Sequence, residues 1–129
     1  AADAFGCREI FLIGVDFFDP STARGSVRHV PARFFKDFSE VHPILRERGY
    51  DIFIMEPENG EYLQHTKFQE KTAFVLGHEE FGISFRAEDY EGVKSLKIAQ
   101  FGKVQSLNVS VAGAVVMYEY LRQRVLDVP

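Results

Sequence analysis

The stretch Ser106-Leu107-Asn108-Val109-Ser110-Val111-Ala112-Gly113-Ala114 decides how the chain is read. An apolar, strand-like run at residues 95–99 leads into a short polar loop, and an apolar-periodic segment opens at Asn108 and continues to about Val125. Ser and Asn start helices because their side-chain oxygens accept from backbone N–H groups that the first turn leaves unpaired. Gly102 gives the loop freedom to bend, and Gly113 with Ala114 lets the helix approach a neighbour closely. A polar loop closing onto the positive end of a helix can hold a ligand. The same pattern also makes an ordinary strand–loop–helix connection, and taken alone that is the commoner case.

Outward from this stretch, apolar strands alternate with helical segments. Residues 1–5 read as the end of a helix stopped by Gly6, and residues 9–14 as a strand buried on both faces. A turn at Asp19-Pro20-Ser21-Thr22 precedes a short helical piece through Gly25, Ser26 and Val27. Ser39 is the expected cap of a helix over 40–48, with Pro43 near its first turn and Gly49 ending it. Residues 50–55 and 72–76 are further strands, joined by a polar connection over 56–71. A glycine-bounded loop spans 77–84, and one helical turn is expected over 86–90. The alternation predicts an α/β fold with a parallel sheet flanked by helices. Ligands of such sheets sit at the carboxyl ends of strands, where the 77–84 and 100–107 loops should both fall.

Composition bounds the class without naming the chemistry. A chain of 129 residues, 46% hydrophobic and 26% charged, has the size and balance of one globular domain. No apolar run approaches the roughly 20 residues of a membrane helix, so no membrane partner is expected. The single cysteine, Cys7, permits no internal disulfide and suits a reducing, cytoplasmic setting. A net charge of −4 argues against indiscriminate nucleic-acid binding and leaves room for a local basic face. Two basic groups, Arg24, Arg28, Arg33 and Lys36, then Arg46 and Arg48, are candidates for that face, though a solvated surface is the commoner outcome. His29, His42 and His65 lack metal-ligand spacing, and no metal is expected.

The loop Gly77-His78-Glu79-Glu80-Phe81-Gly82-Ile83-Ser84 carries two acids and a histidine between glycines that let backbone groups approach a ligand. Neither a dinucleotide fingerprint nor a phosphate-binding P-loop is present. Together with its strand, Phe74-Val75-Leu76, the loop resembles the second motif of the SpoU (TrmH) family of SPOUT RNA methyltransferases. Residues 98–119 resemble the family's third motif, with the stretch 106–112 as its core and Tyr118-Glu119 following in the helix. Weaker similarity extends upstream, to residues 1–6 and to the His29-Val30-Pro31 turn.

The resemblance implies a C-terminal deep trefoil knot, S-adenosyl-L-methionine as cofactor, and methyl transfer to a ribose 2′-hydroxyl of structured RNA, tRNA or rRNA. It also implies a homodimer through the C-terminal helix, on which Val116 would be an interface position. By similarity Glu79 organises the site, while Ser106 and Asn108 position catalytic groups and cofactor. Backbone groups at Gly77, Ile98 and Leu107, with Met55 and Ser106, would hold the cofactor. The chain is expected to be a single domain over 1–129 that lacks the family's first strand and first motif, whose Arg would precede Ala1. His78 stands where the family has a small polar residue, and Ile98-Ala99-Gln100 replaces the usual Ile-Pro-Met. The alternatives are a catalytically degenerate cofactor- or RNA-binding module of the same fold, and an unrelated enzyme using Glu79 and Glu80 as acid and base.

Overall fold

The computed structural model describes residues 8, 10–13, 32–56, 60–77, 85–99 and 109–126. The expected helix end at 1–5, the 19–22 turn and the helical piece at 25–27 lie outside them. Strand β1 (Ile10–Ile13) pairs in parallel with β2 (Ala32–Phe35), in the register Ile10 to Ala32 through Ile13 to Phe35. Helix α1 (Phe38–Glu47) then leads into a second, four-stranded parallel sheet. Its strands are β3 (Asp51–Met55), β4 (Glu61–Tyr62), β5 (Thr72–Val75) and β6 (Val93–Lys97), lying in the order β4-β6-β3-β5. Tight helical turns occupy Leu63–His65 and Ala87–Asp89, and helix α2 (Val109–Leu121) continues into a π-helical turn, Arg122–Leu126. The parallel-sheet α/β architecture expected from the alternation is the one observed.

Central strand β3 explains the layering. It pairs with β5 on one edge and β6 on the other, and Ile52 (0% exposed) and Phe53 (2%) are both buried. Successive side chains of a strand point to opposite faces. Ile52 accordingly joins Phe38, Val41 and Leu45 of α1, while Phe53 joins Leu63, Phe68, Leu96 and Val116 on the α2 side. The sheet thus carries one helix and one core on each face.

Helix α1 is fixed by its ends. Its cap is Asp37, not the expected Ser39: the Asp37 carboxylate accepts from the Ser39 N–H at 2.9 Å and from the Ser39 hydroxyl. An aspartate satisfies the orphan donors of the first turn as well as serine does and adds a charge favoured by the helix dipole. Starting the helix at Phe38 puts Pro43 inside it rather than in its first turn. At the other end Gly49 takes φ +80°, so that its N–H bonds to the Arg46 carbonyl and that of Tyr50 to the Leu45 carbonyl. This left-handed closure delivers the chain straight into β3.

Two strands were not expected: β2 lies in a stretch given no element in the sequence reading, and β4 in the 56–71 stretch read as a polar connection. Strand β4 exists because Gly60, at φ +107°, brings the backbone against β6: a Cβ there would lie 2.6 Å from the Ser95 carbonyl carbon. The last predicted strand, 95–99, is shifted to 93–97, which leaves Ile98 and Ala99 just beyond its end.

Helix α2 is held at its far end by one amide. Gln123 Oε1 accepts from the Phe68 N–H at 2.8 Å, and its Nε2 donates to the Thr66 carbonyl at 2.7 Å and to Glu119 Oε2 at 3.1 Å. Glu119 also takes two hydrogen bonds from Arg122, which hold its carboxyl below the usual glutamate range. The Tyr120 hydroxyl donates to the Glu70 carbonyl. Val116 is 0% exposed and sits in the core under β3, so it is a packing residue and not the surface position expected of it.

The Gln123 contacts make a direct prediction. Gln123→Ala removes the partner of a backbone N–H on the buried residue Phe68, which should destabilise the fold by about 1–3 kcal/mol. Urea unfolding reads this out, and an unchanged midpoint would show that the amide is dispensable.

Candidate active site

Parallel pairing brings three strand ends side by side. Ile54 is in register with Val75 and Met55 with Leu96. Met55 ends β3, Gly77 lies two residues past β5 and Ile98 one residue past β6. These three, singled out in the sequence as cofactor-holding positions, therefore line the carboxyl edge of neighbouring strands β5, β3 and β6. Open parallel sheets bind ligands at that edge. Met55 and Ile98 are half-buried against the Phe53–Leu96–Val116 core, and the Glu56 N–H reaches the Leu96 carbonyl at 2.9 Å. The edge therefore offers the half-buried apolar side chains of Met55 and Ile98, with the β3–β6 ladder continued one residue past Met55.

Glu79, Ser106, Leu107 and Asn108 lie outside the described residues. Their flanks are placed. On the β5 side, Leu76 packs under α2: a Cβ on Gly113 would lie 3.0 Å from Leu76 Cδ1. The small residue noted in the sequence is thus where helix and strand end approach. On the returning side, Phe85 stacks on Phe38 at 4.3 Å between ring centroids and meets Tyr90 edge-on at 5.3 Å. The His42 ring nitrogen Nε2 bonds the Glu91 carbonyl at 2.8 Å. Gly92, at φ +75°, leaves room for the Arg46 guanidinium, which also reaches Glu91 at 3.8 Å. Segment 85–92 is fastened to α1 by aromatic packing and polar contacts together, a role for Phe38, His42 and Phe85 that apolar patterning did not reveal.

The expected basic face is partly absorbed by the fold. Arg33 lies over the Phe11 and Phe35 rings at 5.5 and 5.1 Å, and Arg46 serves the contact just described. Arg24 and Arg28 lie outside the described residues. Among the described residues, no group of His, Cys, Asp or Glu side chains converges as a metal site, and no helix is long and apolar enough to cross a membrane.

The chain is similar to known proteins over most of its length. A sequence model of the SpoU rRNA Methylase family matches residues 1–118. The tRNA (guanosine(18)-2′-O)-methyltransferase of Thermus thermophilus is 35% identical over 127 residues, which are 95% of this chain and 64% of that enzyme. The SpoU methyltransferase AviRb of Streptomyces viridochromogenes, solved in complex with AdoMet, is 25% identical with a TM-score of 0.81, over 97% of this chain and 53% of AviRb. A structure described for the 2-OH methylation of C/U34 on tRNA is 29% identical with a TM-score of 0.79, over 95% of this chain and 82% of that one. The chain thus spans less than two thirds of the length of the first two.

The Gly113–Leu76 contact can be tested by volume. Gly113→Leu drives a branched side chain into a space already closed at one carbon, and overpacking of this kind costs about 1–3 kcal/mol. A lowered thermal midpoint is expected; an unchanged one would mean that Leu76 simply moves aside.

Proposed function

The chain belongs to the SpoU rRNA methylase family, and from that premise we propose that it forms the methyl-transfer domain of an S-adenosylmethionine-dependent RNA ribose 2′-O-methyltransferase acting on tRNA or rRNA. What carries the reading is the meeting of Met55, Gly77 and Ile98 at one sheet edge, in a chain whose sequence matches this family over residues 1–118. The Thermus relative, named for 2′-O-methylation of a tRNA guanosine, supports the choice of reaction.

The residues present fit an adenosine. Half-buried Met55 and Ile98 provide apolar contact, and Gly77, which has no side chain, allows a ligand to come close to its backbone. S-adenosylmethionine supplies a methyl group already activated as a sulfonium. A ribose hydroxyl is a weak acid and a poor nucleophile, so the protein's task is alignment and the removal of one proton. In this reading Glu79 organises the site and Ser106 and Asn108 position the reacting groups and the cofactor. The same reading carries a C-terminal trefoil knot and a homodimer through α2. Val111 and Tyr118, seven residues apart, leave apolar surface exposed along one line of that helix, with Tyr118 at 51%.

Calorimetric titration of the full-length protein with S-adenosylmethionine tests the reading. Micromolar affinity, roughly −8 kcal/mol, is expected; absence of binding to the folded protein overturns it. Within the methylation assay, Glu79→Gln should lower the rate roughly a hundredfold through lost positioning, with Glu80→Gln near wild type. The reverse order would favour acid–base chemistry on the Glu80 side. For the dimer, Tyr118→Glu should shift sedimentation toward monomer, because a charge in the core of an interface is strongly disfavoured. An unaltered dimer would remove α2 from the interface.

A further inference from the structure

We propose that Tyr62, His65 and Lys97 form a stacking subsite for one unpaired nucleotide of the RNA, beside the methyl-transfer edge; the proposal rests on the RNA methyltransferase reading above. Tyr62 and Lys97 are paired in register across β4 and β6, so their side chains share one face of the sheet. Lys97 Nζ lies 4.3 Å from the centroid of the Tyr62 ring, and the His65 ring stands at 88° to it, 6.1 Å away. Lys97 is followed directly by Ile98, so the trio adjoins the candidate cofactor edge.

Core packing does not account for these side chains. Leu63 and Thr66 do the burying in this turn, whereas His65 is exposed and Tyr62 remains 41% exposed. The backbone that presents them is nevertheless fastened from several sides. The Thr66 hydroxyl donates to the Tyr62 carbonyl at 2.8 Å, and Gln123 grips the Thr66 carbonyl at 2.7 Å. Gly60 locks the entry to β4 against Ser95 and Leu96. Strand alternation directs Glu61 to the opposite face, away from the Lys97 charge.

An exposed ring with a neighbouring ammonium, on a pre-set backbone, matches the two parts of a nucleotide. The base stacks on aromatic rings and the phosphate pairs with the cation. One exposed tyrosine ring and one ammonium suit a single nucleotide. Because the turn is already ordered, little entropy is lost on binding.

The test measures equilibrium binding of the full-length protein to unfractionated tRNA and, separately, to rRNA, across a salt series. Tyr62→Ala should weaken binding of the RNA that the wild type binds roughly five- to a hundredfold, and Tyr62→Phe should restore it. Lys97→Gln, which leaves the ring in place, should reduce the log–log salt slope by about 0.7. Cofactor affinity and thermal midpoint, measured alongside, report whether each variant is folded. Should Tyr62→Ala unfold, the Lys97→Gln slope decides. If the folded variants bind RNA with wild-type affinity and slope, the subsite is overturned and the methyltransferase reading stands. If the wild type binds cofactor but neither RNA, the RNA reading falls and the subsite with it.

Discussion

The whole arrangement of strands and helices depends on β3 being buried on both faces. A strand in that position cannot turn any backbone group to water, so its N–H and C=O groups must pair sideways, and β5 and β6 supply both edges. All the pairings are parallel, which forces long crossovers and places covering helices on the faces. Ile52 and Phe53 then divide the interior into an α1 side and an α2 side. Burying side chains of this size contributes about 1.5–3 kcal/mol each. The same parallel arrangement aligns the ends of three strands, and that alignment gathers Met55, Gly77 and Ile98 from positions far apart in the chain.

The placement of helix α2 rests on two contacts of different character. Near its start Gly113 allows van der Waals approach to Leu76, next to Gly77. Beyond its end Gln123 mimics a strand, using its amide to satisfy the Thr66 carbonyl and the Phe68 N–H. Packing of Val116 under Phe53 supplies the area between them. Apolar contact alone resists separation more than sliding, whereas a paired amide fixes register along the axis. The two together fix the helix on the sheet at both of its ends.

Much of this fold was legible in the sequence, and the exceptions have physical causes. Strands β3 and β5 and helix α1 are marked by apolar runs, and Gly49 punctuates the boundary between helix and strand. Strand β4 has only two residues, both exposed, and owes its existence to the backbone approach at Gly60, which carries no hydropathy signal. Strand β2 follows a proline and pairs with β1 through an Arg-Phe-Phe segment without clear alternation. Asp37 and Ser39 are both good caps two residues apart, and only the burial of Phe38 decides between them. Among the expected site residues, Met55 and Ile98 are ordinary apolar residues, and a Glu79-Glu80 pair reads in the sequence like any solvated loop. Motif order and spacing singled them out, because that information lies in arrangement and not in residue type.

The site proposed on these strand ends can absorb particular departures from the family pattern. Where a ligand is held by backbone N–H and C=O groups, side chains on either side are free to change provided the strand end stays in place. Ile98 is kept in place by the core under Leu96 and Val116, whatever follows it. Replacing the usual proline by Ala99 returns a backbone N–H to this edge and removes a fixed φ. The substitution therefore alters local stiffness and donor count while leaving the apolar contact of Ile98 intact. Constraint at this edge falls on strand register, set by β3, more than on the identity of any one side chain.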